Sequence, residues 1–190
     1  MKKIAIYVAT TGGPAQVERI TPEYAPQSLV CLGRSSDILP ISGDYDEFVK
    51  RGSGVIEREF GPFDYASFRL DVSEPVGTGK SWQLGFYAAH AVTESKNTIL
   101  VDGEEIADQV VWLTGGVDYD LVVKPVDHIA EKVSSAQLFF AEIIKTGTPI
   151  VAIVPEGQNI GRLQGAVFPN DVDVKAISSA KEVGDRLGLK

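Results

Sequence analysis

Apolar residues run unbroken over positions 4–9 and 149–154, and each run is closed by glycine or proline. Runs this short between turn formers predict strands. Alternation of Phe68, Leu70 and Val72 with Arg69 and Asp71 predicts a half-buried strand stopped at Glu74-Pro75. Further short strands are expected at 28–32, 98–101, 110–113, 120–123 and 172–174. Leu84, Ala88, Ala91 and Val92 recur at helical spacing, which predicts a helix over 81–94. Ile129, Val133, Ala136, Phe140 and Ile143 predict an amphipathic helix over 129–145, with Asp127 as its N-cap and Gly147 just past its end. A helix over 44–60 rests on Phe48, Val49, Val55, Ile56 and Phe60, around the helix-weakening Gly52-Ser53-Gly54. Ala180, Val183 and Leu187 mark a last helix from about Ser179. The sum is a mixed α+β domain spanning 1–190, whose chemistry lies from about Phe68 onward.

Composition narrows the function. With 18 Lys and Arg against 26 Asp and Glu, the net charge is −8, and no cationic run builds a stripe for phosphates, so nucleic acid is not an expected partner. Cys31 is the one cysteine, which rules out an intrachain disulfide framework and predicts a small core residue. The apolar stretch after Met1-Lys2-Lys3 is too short for a signal peptide, and none reaches the roughly 20 residues of a membrane span. A cytoplasmic protein without a membrane partner is expected.

The candidate chemistry lies in two segments. Gly79-Lys80-Ser81 forms a glycine-rich turn at the start of a predicted helix. Downstream, Thr114, Gly115, Val117, Pro125, Val126 and Lys132 fall without a gap into one pattern: Thr-Gly, a hydrophobic-x-Pro-hydrophobic step, and a lysine near the start of the next helix. This arrangement resembles the proteolytic domain of the Lon proteases, a family built on a Ser-Lys dyad. The resemblance continues through the strand at 149–154, Pro155, Asn159 and the final strand and helix. It covers about two-thirds of the chain and leaves residues 1–64 unaligned. Asp127 and His128 stand where the family carries paired glycines, Leu121 where it has a glycine within the segment, and Thr78 where an acidic residue often precedes the serine.

The resemblance implies a Lon-like fold of mixed sheets packed with helices. It makes Ser81 the nucleophile, Lys132 the base and Thr114 the hydroxyl that holds the amine. Gly79, Lys80 and Trp82, which flank Ser81, become the substrate and oxyanion positions. Physical chemistry adds a condition: lysine removes a hydroxyl proton only as the neutral amine, and an exposed ammonium has a pKa near 10.4. Burial in an apolar wall lowers that value, and Lys132 starts toward the apolar face of its helix. The implied function is a serine endopeptidase acting on peptides or unfolded proteins. It needs no cofactor or metal and carries no ATPase of its own, with room for a partner ATPase and a homo-oligomer.

Two other readings stay open. One is a catalytically silent Lon-like module for binding or assembly. The other is a P-loop NTPase, because residues 76–81 look like the end of a phosphate-binding loop and Ile99-Leu100-Val101-Asp102 like a Walker B strand. The first glycine of that loop falls at Glu74, whose carboxylate would face the phosphates. His90 and His128 are the only histidines, too few with one cysteine for a zinc site.

Overall fold

The chain's continuous apolar runs are the strands at the centre of the molecule. The computed structural model describes residues 1–50, 52–158 and 167–189, so Asn159 lies outside the described residues. In chain order come β1 (Lys2–Val8), β2 (Ala15–Glu23), β3 (Leu29–Leu32), α1 (Ser42–Val49), α2 (Val55–Phe60), β4 (Ser67–Val72), α3 (Gln83–Glu94), β5 (Thr98–Leu100) and β6 (Gln109–Leu113). The short pair β7 (Gly116–Val117) and β8 (Val123–Lys124) leads to α4 (Ile129–Ser135), α5 (Gln137–Thr146), β9 (Ile150–Pro155), β10 (Val172–Ile177) and α6 (Glu182–Leu187). The main sheet has the order β10-β9-β6-β1-β2-β4-β3, with β5 also paired to β1. Only β2 pairs antiparallel with its neighbours, so it alone runs against the others. β7 and β8 form a separate antiparallel pair.

Successive residues of a strand point to opposite faces, and here each face meets its own helices. Ile4, Ile6 and Val8 of β1 join Val111, Leu113, Val151 and Ile153 in a core shared with α1, α2, α3 and α6. Ala5, Val110, Trp112, Ala152 and Val154 face the opposite way and pack with Ile129 and Val133 of α4, Ala136, and Phe140 of α5. Burial on both sides is why these strands read as unbroken apolar runs. The result is a mixed α+β architecture with a mixed sheet packed against helices. Contact between α3 and β1 is close: a Cβ added at Gly85 would lie 2.7 Å from Val8 Cγ2. Cys31 is buried, as expected. No helix among the described residues is long and apolar enough to cross a membrane.

Several elements depart from the sequence pattern for identifiable reasons. Strand β2 goes unannounced because a register shift between Val17 and Arg19 throws its apolar positions out of alternation. The expected helix over 44–60 is two helices, broken where Gly52 takes φ 89° and Gly54 sits too close to the backbone of Val49 and Lys50 for any side chain. The helix over 129–145 is likewise two, meeting at Ala136. Its N-cap is His128, not Asp127. Residues 120–123 are not a continuous strand: Asp118 Oδ1 accepts hydrogen bonds from the amides of Asp120 (3.0 Å) and Val122 (2.9 Å), which folds the chain into a turn, so that Val122 makes an isolated bridge to Ser179 and the strand is confined to Val123–Lys124. The last helix begins at Glu182, whose carboxylate accepts from the Ser178 and Ser179 amides.

His90 sits fully buried on α3, with Nε2 sharing a 2.8 Å hydrogen bond with the Tyr45 hydroxyl and Nδ1 unpartnered. Burial lowers its pKa to about 3. The unfolded chain therefore takes up a proton near pH 6.5 that the native state refuses until about pH 3, and stability falls across that window as pH drops, by about 1.4 kcal/mol per pH unit. Urea unfolding at pH 7 and pH 4.5 should show His90→Phe losing less stability than the parent chain between the two. Equal losses would assign the acid limb to other groups.

Leu121 (φ 65°) and His128 (φ 59°) are the two positive-φ residues other than glycine among the described residues. A side chain in this left-handed region costs roughly 1–2 kcal/mol. The His128 side chain is exposed and among the described residues has a single polar partner, Glu131 at 3.4 Å, whereas Leu121 is buried. His128→Gly is therefore expected to raise Tm by about 2–4 °C. A fall in Tm would show that the imidazole does more for stability than its exposed position implies.

Candidate active site

The turn carrying Ser81 runs from the end of β4 into α3 and is tied to the segment that follows β6. Gly115 N donates to Ser81 O (3.0 Å), Leu84 N donates to Gly115 O (3.0 Å), and Val117 N donates to Gln83 Oε1 (2.9 Å). The approach is tight at Gly115, where an added Cβ would lie 3.0 Å from both Leu84 Cδ2 and Val123 Cγ1. The sequence thus brings its two chemistry-bearing segments together through one glycine and three hydrogen bonds.

Thr114 is fully buried at the end of β6, and its Oγ1 accepts a 3.1 Å hydrogen bond from Lys132 Nζ. Lys132 lies in the first turns of α4, where its amide donates to His128 O at 3.0 Å. The residue is only 6% exposed. Burial pulls the amine's pKa below its ordinary value, and the nearby charge of Asp127 opposes that shift. A lowered pKa is the direction a lysine needs if it is to serve as a base.

Lys132 and Ser81 line the same cleft, about 590 Å³ in volume, together with Gly79 and Lys80. The amides of Lys80 and Ser81, both lining residues, donate no backbone hydrogen bond among the described residues. Gly77 and Gly79 have open space where a Cβ would stand, so their lack of side chains widens the cleft. Trp82 differs from the other candidates. Its ring is 1% exposed and packs with Tyr45, Phe48 and Phe86 in the core. Trp82 therefore does not line the cleft, and its side chain is a core residue rather than a substrate or oxyanion position.

The cleft also contains groups that sequence reasoning passed over. Thr10 and Thr11 enter it from the end of β1, because β1 pairs in parallel with β6 and Ser135 Oγ donates to Thr10 O at 2.9 Å. No local pattern announces a register set by a strand a hundred residues away. Lys124 and Asp118 face each other across the β7–β8 turn as a 2.7 Å ion pair at its rim. Asp102, the candidate Walker B residue, pairs instead with Arg34 (2.8 Å) and does not line the cleft. Among the described residues, no three His, Cys, Asp or Glu side chains gather as metal ligands. No protein-family model matches the sequence, and no curated protein matches it.

Proposed function

We propose that this chain is a Lon-like serine endopeptidase that cleaves peptides or unfolded proteins with a Ser81–Lys132 dyad, and that cutting an unfolded chain needs no nucleotide. The observation that carries this reading is the buried Lys132 amine, hydrogen-bonded to Thr114 and opening on the cleft that Ser81 lines. The backbone adds support from an independent direction. Leu121 and His128, which stand where the Lon pattern has glycine, both take the left-handed conformation that glycine adopts without cost.

In this mechanism Ser81 Oγ bonds to the substrate carbonyl carbon while its proton passes to Lys132 Nζ, and the carbonyl π pair moves onto oxygen. Collapse of the tetrahedral intermediate breaks the C–N bond, and the leaving amine takes the proton back from Lys132. Water then repeats the sequence on the acyl-enzyme. Free amides at the start of α3 stabilise the oxyanion. One observation favours a second reading, a silent Lon-like module: the charge of Asp127 supports the ammonium, which cannot accept the serine proton. Casein digestion without ATP, followed by intact-mass detection of a fluorophosphonate adduct on Ser81, distinguishes the two. Digestion and a Ser81 adduct support the peptidase, whereas an unreactive Ser81 in folded protein leaves the silent module.

A further inference from the structure

Resting on the serine-nucleophile reading above, we infer that Gln83 is a catalytic residue of this cleft, whose carboxamide N–H donates to the substrate carbonyl oxygen as it becomes an oxyanion. Gln83 lies two residues after Ser81, is half-buried and lines the cleft. Its orientation is decided by chemistry. The Val117 backbone N–H can only donate, so the atom 2.9 Å from it is the amide oxygen. Nε2 is therefore the other arm of the carboxamide, and its two N–H bonds have no partner among the described residues.

The bond to Val117 also fixes the side chain before substrate arrives. The backbone bonds from Gly115 to Ser81 and from Leu84 to Gly115 hold the nucleophile turn against the same segment. Ser81 and Gln83 are thus held by one continuous piece of backbone, and such prior fixing lets a donor stabilise developing charge without reorganising. Being neutral, the amide adds no charge that would favour the Lys132 ammonium. During acylation Oγ of Ser81 bonds to carbon, the carbonyl π pair moves to oxygen, and the Ser81 proton goes to Lys132. Gln83 Nε2–H and the free amides near Ser81 then share the oxyanion.

The test separates donating from holding. Gln83→Glu keeps an oxygen to accept the Val117 N–H but has no N–H to give, whereas Gln83→Met removes both functions. Rates of fluorophosphonate labelling and of casein digestion are measured on the high-pH plateau, where a shifted Lys132 no longer affects them, and Tm is recorded for each protein. We expect Gln83→Glu to lose roughly 10²- to 10³-fold in kcat with KM and Tm near those of the parent chain. Gln83→Met should lose as much kcat and also melt lower. If Gln83→Glu stays within about threefold of the parent rate while Gln83→Met is merely less stable, the residue only secures β7 and the inference is overturned. If Ser81 of the parent chain takes no label and no casein is cut, the nucleophile reading fails and the donor role falls with it.

Discussion

Ser81→Ala and Lys132→Met should each lower casein digestion by at least about 10³-fold, and the double variant should be little slower than either one. Groups that act as a unit lose most of the rate singly, because a nucleophile without its base and a base without its nucleophile are equally idle. Lys132→Met is only one heavy atom shorter in a site 6% exposed, so the cavity it leaves is small, and a Tm recorded beside the rate separates lost chemistry from lost packing. Ser81 is half-buried, and its alanine variant should melt with the parent chain. Additive losses, in which the double variant falls by the product of the single effects, would mean that the two residues serve different steps. Undiminished digestion by Ser81→Ala would remove the dyad altogether.

Local chemistry wrote part of this molecule plainly into its sequence. Strands β1 and β9 were legible because both faces are buried, and an unbroken apolar run has few other uses. Thr114 and Lys132 were legible as a pair through their spacing within the Lon pattern, and the structure joins them by a hydrogen bond. What stayed hidden depends on contacts distant in sequence or on backbone conformation. The bulge in β2 erased the alternation that would have marked it. Thr10 and Thr11 reach the cleft only through the pairing of β1 with β6. Trp82 looked like a cleft residue from its place beside Ser81, yet the next position along the chain faces the aromatic core. Gln83 carries no motif at all, and only the Val117 hydrogen bond shows which end of its amide is free.

The dyad should impose its own pH profile and its own stability cost. Activity is expected to climb with pH to a plateau, because only the neutral amine accepts the Ser81 proton. Desolvation lowers the Lys132 pKa, and Asp127 is the group that pushes it back up. Asp127→Asn should therefore move the rising limb toward lower pH, with about tenfold more neutral amine on that limb for every pH unit the limb moves, and an unchanged plateau. A limb that stays in place or moves toward higher pH would dissociate the titration from Lys132. The lowered pKa acts on folding as well. Below it the native state must bury an ammonium, while between it and pH 10.5 the unfolded chain still binds a proton that the native state has released. Stability thus rises with pH through this window, and the burial cost is gone above it. Replacing both partners by apolar side chains of similar shape, Thr114→Val with Lys132→Met, removes the charge without stranding the Thr114 hydroxyl. The pair should be inactive yet more stable at pH 7 by about 1–4 kcal/mol, with the gain shrinking as pH approaches 10.5. A double variant less stable than the parent at pH 7 would show that Lys132 is held for the fold rather than for the chemistry of the cleft.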